Sequence, residues 1–401
     1  VSTALQTLLQ RLGEGALAKA QAALDQLREQ DAPLLTRHFL EATILLRGGH
    51  PEAAEPLCAK VLAADPQSSP ARALRASVFE ALGRAAEALA ELQGALAADP
   101  GEPQLYADVC VALLRRGRSG EASRLLRDAK IRHGLWDEVR ELDQLLAMAQ
   151  RGPAWPKRFV HRSTHYEVVS DIDAKVCALA GNLLEESYVN LMAQLAWVKE
   201  EKNAARFRVF LFSGEAGYHE YSKAIVGAPV PHTAGIYSPV LKQLLIWNLP
   251  QREDMERTIR HEGFHQFLDR VMSLPPTWLN EGMAEFWERA QREGGKFQGG
   301  QVRPEHVATL IRSGKLLPKL EQFVRGGAAD FYANPQMRYA QAWALVHFLR
   351  KAPGQGPRFQ LLWEQLRSAK STRAALDAAF AGLDWKKFEQ EFWNHVESMR
   401  R

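Results

Sequence analysis

The chain has 401 residues, with 51 Lys and Arg against 47 Asp and Glu, a formal charge of +4. So even a balance gives no reason to expect nucleic acid as a partner, and stretches such as Arg115-Arg116-Gly117-Arg118 fit solvated helix ends. Three cysteines, Cys58, Cys110 and Cys177, have neither disulfide-framework nor metal-ligand spacing, and no apolar run approaches the ~18 residues of a membrane span.

The first 150 residues carry an internal repeat. Gly15, Gly49, Gly83 and Gly117 are spaced by 34, as are Ala20, Ala54, Ala88 and Ala122. Asp31, Asp65 and Asp99 keep the same period, and Ala64-Asp65-Pro66 recurs as Ala98-Asp99-Pro100. Gly suits the tight turn that closes a first helix, a small Ala lets two helices approach, and Asp-Pro ends the second helix. This period and pattern match a tetratricopeptide helix-turn-helix array of about four units, whose concave face typically binds a protein partner. Cys58 and Cys110 fall on its helices as buried small residues.

Composition then shifts. All ten Trp lie at or after Trp136, and Gly152-Pro153-Ala154-Trp155-Pro156 reads as a linker. Length allows a second domain, over 157–401. His165-Tyr166-Glu167-Val168-Val169, Phe207-Arg208-Val209-Phe210-Leu211-Phe212 and Gln243-Leu244-Leu245-Ile246-Trp247-Asn248 read as strands, with a long helix from Ala174 to about Glu200. Gly227 to Gly235 is a Pro/Gly-rich connection. A helix then runs from Asp254 through Leu268, with Ile259, Phe264, Phe267 and Leu268 on its apolar face, and Pro275-Pro276 ends the region.

That helix holds His261-Glu262-Gly263-Phe264-His265. Residues i and i+4 project from one face of a helix, so both histidines can reach one metal ion. Glu262 is placed to take a proton from a water activated there. A catalytic zinc needs a third protein ligand and an open fourth position. Glu281, on a second amphipathic segment starting near Thr277, is the best candidate; Glu285 follows it at i+4. After Asn334-Pro335 another apolar helix opens with Arg338-Tyr339-Ala340-Gln341, and Ala374 to Met399 reads as a terminal helix pair packing on this domain.

Thr258 to Phe267, together with Trp278-Leu279-Asn280-Glu281-Gly282-Met283-Ala284-Glu285, resembles the gluzincin metallopeptidases. More closely it is similar to peptidase-MA-like bacterial proteins with a HExxHQ…WLxEGxAE signature. The resemblance implies an α+β catalytic domain with a helical C-terminal part behind the all-α repeat solenoid. It implies one Zn2+ per chain held by His261, His265 and Glu281, with Glu262 as general base and Glu285 as a carboxylate orienting a ligand histidine. Fifteen residues separate His265 from Glu281, fewer than in the M1 aminopeptidases, which keeps Glu285 open as an alternative ligand. Leu268 and Val271 stand where a metzincin needs Gly and His. By the same resemblance Tyr339 donates a hydrogen bond to the oxyanion, with Tyr332 and Tyr237 as alternates, and the strand near Leu244–Trp247 lies at the cleft edge and aligns an extended peptide.

The expected function is zinc-dependent hydrolysis of peptide bonds in a peptide or protein substrate recruited through the repeats. No GxMEN-like stretch precedes His261, which favours an endopeptidase. The alternative is a repeat adaptor carrying an inactive metallopeptidase-like domain. Composition does not choose between a cytoplasmic protein and one exported after loss of an N-terminal segment.

Overall fold

The computed structural model describes residues 33–400 except 135, 136, 196–204, 227, 228, 232, 273, 274, 369 and 370, together with 21, 22, 24 and 25. The first repeat positions Gly15, Ala20 and Asp31, and also Trp136, the helix end near Glu200, and Gly227, Ala228 and His232 of the expected loop, lie outside the described residues. The chain is mostly helical with a small mixed sheet, and it divides into two compact units, Val1–Leu146 and Ala147–Arg401.

In the first unit, helices pair in antiparallel hairpins: α1 (Leu34–Arg47) with α2 (Pro51–Ala64), α3 (Ser69–Ala81) with α4 (Ala85–Ala98), and α5 (Pro103–Arg115) with α6 (Ser119–His133). The 34-residue period is visible in the backbone. Gly49, Gly83 and Gly117 have φ of +78°, +73° and +69°, and after each the next N–H reaches back five residues, to Leu45, Phe79 and Leu113. That left-handed turn with its six-to-one hydrogen bond is why glycine recurs there. Ala54, Ala88 and Ala122 are buried where helices touch. Asp65 and Asp99 accept hydrogen bonds from the backbone N–H of Gln67 and Gly101, each at 3.2 Å, so the Asp-Pro steps are side-chain-locked turns between hairpins. α7 (Asp137–Arg151) follows.

In the second unit, β1 (Phe159–Arg162), β2 (Tyr166–Ser170), α8 (Ala174–Gln194), β3 (Phe207–Phe212), α9 (Glu215–Val226), β4 (Gly235–Ser238) and β5 (Gln243–Trp247) build a five-stranded sheet in the order β1-β2-β3-β5-β4. β2, β3 and β5 run parallel; β1 and β4 are antiparallel edges. Val209, Leu211, Leu244 and Ile246 enter the main core, while Phe210, Phe212 and Leu245 pack with Tyr218 on the opposite face. Covering on both faces explains strands that are apolar without alternation. The segment expected to be a linker is held in this unit: the Trp155 ring meets Phe212 edge-on at 4.9 Å.

One strand expectation is corrected. β5 is not at the cleft edge: β3 and β4 pair with its two sides, so it has no free side for a peptide. Its run Leu244-Leu245-Ile246 is fully buried, the signature of an interior strand. The edge beyond it is β4, whose four residues, beginning with Gly, carry little strand signal in the sequence.

α10 (Arg252–Val271) packs over β4 and β5, and α11 (Thr277–Glu288) lies along it. The hairpin β6 (Gln291–Glu293) and β7 (Lys296–Gln298) leads to α12 (Pro304–Ser313), α13 (Leu320–Arg325), α14 (Ala328–Tyr332) and the long buried α15 (Pro335–Lys351). α16 (Gly356–Ser368), α17 (Thr372–Ala379) and α18 (Trp385–Ser398) complete the unit, with Phe388 and Phe392 of α18 against Phe348. α11 touches α15 backbone to backbone: a Cβ at Gly282 would stand 2.5 Å from the Ala342 carbonyl oxygen. Gly282→Ala is therefore expected to destabilise the second unit by about 1–3 kcal/mol through overpacking. Denaturant unfolding measures this, and an unchanged midpoint would mean that the two helices part freely.

Candidate metal centre

α10 and α11 bring three of the expected residues together. His261 and His265 lie one turn apart on α10 with ring centroids 5.0 Å from each other, and Glu281 faces them from α11. Glu281 Oε2 is 3.8 Å from His261 Nε2 and 3.6 Å from His265 Nε2. These three residues form a group whose ligand atoms all lie within 4.8 Å of one another, able to hold a metal ion. Glu281 is 5% exposed, and its Oε2 is buried without a hydrogen-bond partner. A buried carboxylate oxygen with no donor is costly. At 3.6–3.8 Å the two Nε2 atoms stand beyond hydrogen-bond distance of it. A cation among the three atoms would satisfy all of them.

The other atoms of these side chains are fixed. Glu281 Oε1 accepts from the Tyr332 hydroxyl at 2.7 Å, which leaves Oε2 as the free oxygen. His265 Nδ1 is 2.8 Å from Asn280 Oδ1, and His261 Nδ1 is 3.3 Å from Glu288 Oε2. Such partners set the tautomer so that Nε2 is left toward Glu281 as a candidate ligand atom. Sequence reasoning assigned no role to Asn280 or Glu288. Glu288 lies seven residues after Glu281, on the same helix face, which is the signal that was present.

Glu285, expected as an orienting carboxylate or an alternative ligand, stands 4.0 Å from His261 Nδ1, farther than Glu288. Its Oε2 is taken up by Arg303 and, at 2.8 Å, by His306 Nε2. Glu285 therefore lies on the Nδ1 side of His261, and Glu281 is the carboxylate facing both Nε2 atoms.

Electrostatics follow from this packing. Burial alone would disfavour the charged form of His261, but Glu281 and Glu288 outweigh it and hold the imidazole well above its ordinary range. Burial likewise opposes charge on Glu281, yet His261, His265 and Tyr332 bring its carboxyl down to about 2; for Glu288, His261 and Arg303 do the same, also to about 2.

Among the tyrosines, burial and the nearby charge of Glu281 push both Tyr332 and Tyr339 above the ordinary phenol value, with Glu262 adding to each. Both therefore border the same carboxylates. Tyr237 donates to Asp269 Oδ2 at 2.5 Å instead. Glu262 sits beside β4: a Cβ at Gly235 would come 2.9 Å from Glu262 Cγ and 2.8 Å from Thr258 Cγ2, so only glycine lets this edge strand lie so close. An open cleft of about 370 Å³ is lined by Gly235, Thr258, His261, Glu262 and Glu288, among others.

Residues 256–355 match a family described as a protein of unknown function (DUF1570). No curated protein matches the chain. The family match covers 100 of the 401 residues, a quarter of the chain, and includes every residue of the centre from His261 to Tyr339.

Two predictions follow from the contacts. Asn280→Ala and Glu288→Gln should each weaken metal binding ~10–100-fold, the usual cost of losing a partner of a ligand histidine, as read by competition with a chromophoric chelator. Metal binding near pH 7 should also displace the proton that Glu281 and Glu288 hold on His261, so affinity rises with pH up to that raised value. Calorimetry in buffers of different ionisation enthalpy checks this: heats independent of the buffer would show that no proton leaves.

Proposed function

We propose that this chain is a zinc-dependent peptidase in which His261, His265 and Glu281 hold the metal and Glu262 is the general base. The observation that carries this reading is the orphaned Glu281 Oε2, 3.6–3.8 Å from two Nε2 atoms on the helix that also presents Glu262. Tetrahedral zinc with ligand bonds near 2.1 Å spaces its ligand atoms ~3.4 Å apart, and the separations here lie close to that. When bound, zinc supplies Lewis acidity that makes water nucleophilic near neutral pH and polarises a carbonyl.

The protein's own groups do the rest. Glu262 takes the proton from the attacking water and hands it to the leaving amine, in the cleft lined by His261 and Glu262. Tyr339, which lies near Glu281 and Glu262, would supply the hydrogen bond to the oxyanion. The substrate backbone is aligned by β4. In the antiparallel ladder Ala234 O accepts from Trp247 N, so alternation turns the N–H and C=O of Gly235 and Tyr237 away from β5, on a side that no strand occupies among the described residues. An extended peptide added there would run beside Glu262. The tetratricopeptide-like repeats of the first unit would recruit the substrate protein or a regulator.

Glu262→Gln is the deciding variant. It should keep its zinc and lose ~10²–10⁴-fold of turnover on a mixed-sequence quenched-fluorescent peptide library. Full activity in that variant refutes the mechanism. Zinc-loaded wild type that turns over no peptide would shift the reading to an adaptor working through its repeats.

A further inference from the structure

A second group of ligand-type atoms lies on the other side of His261. His261, Glu285 and Glu288 also bring their ligand atoms within 4.8 Å of one another. Glu285 and Glu288 are adjacent on one face of α11, both largely buried, and two carboxylates beside an imidazole are a donor set that a divalent cation readily takes. Left to themselves, two such charges would repel each other and compete with Glu281 for His261.

Arg303 occupies that position. Arg303 is 7% exposed. Nη1 donates to Glu285 Oε2 and, at 3.2 Å, to Glu288 Oε2, while Nε donates to Glu305 Oε1 at 3.2 Å. Glu288 Oε2 is the same atom that faces His261 Nδ1 at 3.3 Å. The segment that delivers Arg303 is tied to α11 itself, through the Gly300 N–H on the Phe286 carbonyl at 2.8 Å. A guanidinium is permanently charged and offers a rigid fork of donors, which suits it to bridging two carboxylates.

We propose that Arg303 is a built-in cation that fills the His261–Glu285–Glu288 position, so that the centre takes one metal ion and Glu288 stays on His261 Nδ1. This rests on the metal reading of the His261–His265–Glu281 group. Arg303 touches neither metal nor substrate; it is a positioning residue. It keeps the Glu285–Glu288 pair from drawing a metal to the wrong nitrogen of His261, and it keeps Nε2 turned to Glu281.

The test is a cobalt(II) titration of the full metal-stripped chain, followed by equilibrium dialysis and visible absorption. Wild type should bind one equivalent. Arg303→Ser should take up a second, at Glu285 and Glu288, and should bind the first ~10–100-fold more weakly with an altered spectrum, as when a ligand histidine loses its partner. Guanidinium, added well below denaturing concentrations, should expel the second equivalent, an effect that a merely structural role for Arg303 would not produce. If Arg303→Ser does not fold, Arg303→Gln, of similar reach and without charge, is read in the same way. A folded variant that binds a single equivalent with wild-type affinity and spectrum overturns the role of Arg303. Wild type that binds no cobalt overturns the metal centre itself, which is a separate result.

Discussion

One carboxylate oxygen organises the second unit. Glu281 Oε2 is buried, accepts no hydrogen bond and faces two imidazole nitrogens at 3.6 and 3.8 Å. Oε1 is already held by Tyr332, so the side chain cannot turn to relieve its partner. The surrounding contacts keep that arrangement in place. Gly282, the next residue, lets α11 settle on the backbone of α15, and Asn280, the preceding one, fixes His265. Three consecutive residues thus fix a candidate ligand, the helix packing beside it and the orientation of one facing imidazole.

The sheet supplies the other half of the geometry. β5 is held inside by β3 and β4 on its two sides, both faces of the sheet are covered, and α10 lies across β5 and β4. The edge strand is brought against α10, beside Thr258 and Glu262, by the absence of a side chain at Gly235. The cleft is therefore bounded by strand backbone on one side and by Glu262 and His261 on the other.

Much of this was legible beforehand, for identifiable reasons. The repeat could be read because one backbone requirement, a left-handed turn, recurs at Gly49, Gly83 and Gly117 and only glycine meets it cheaply. The His261–His265 pair could be read because i, i+4 spacing is a property of the helix itself. What escaped was set by distant contacts. β4 is too short to show a period, and the interior place of β5 depends on what pairs beside it. Arg303, fifteen residues after Glu288, follows a hairpin, and no local pattern links it to α11. Tyr332 ends one helix and Tyr339 lies in the next, so their meeting near Glu281 is set by packing that no local pattern shows.

α11 carries Glu281, Glu285 and Glu288 at i, i+4 and i+7, all on one side. Like charges at these spacings disfavour an isolated helix. In a nascent chain this segment therefore has little reason to coil by itself, and it gains its countercharges from residues on both flanks, His261 and His265 before it and Arg303 and His306 after it. The stability of α11 is thereby coupled to the segments on both sides of it: its three carboxylates gain their countercharges only where α10 and the Arg303–His306 segment are packed against it.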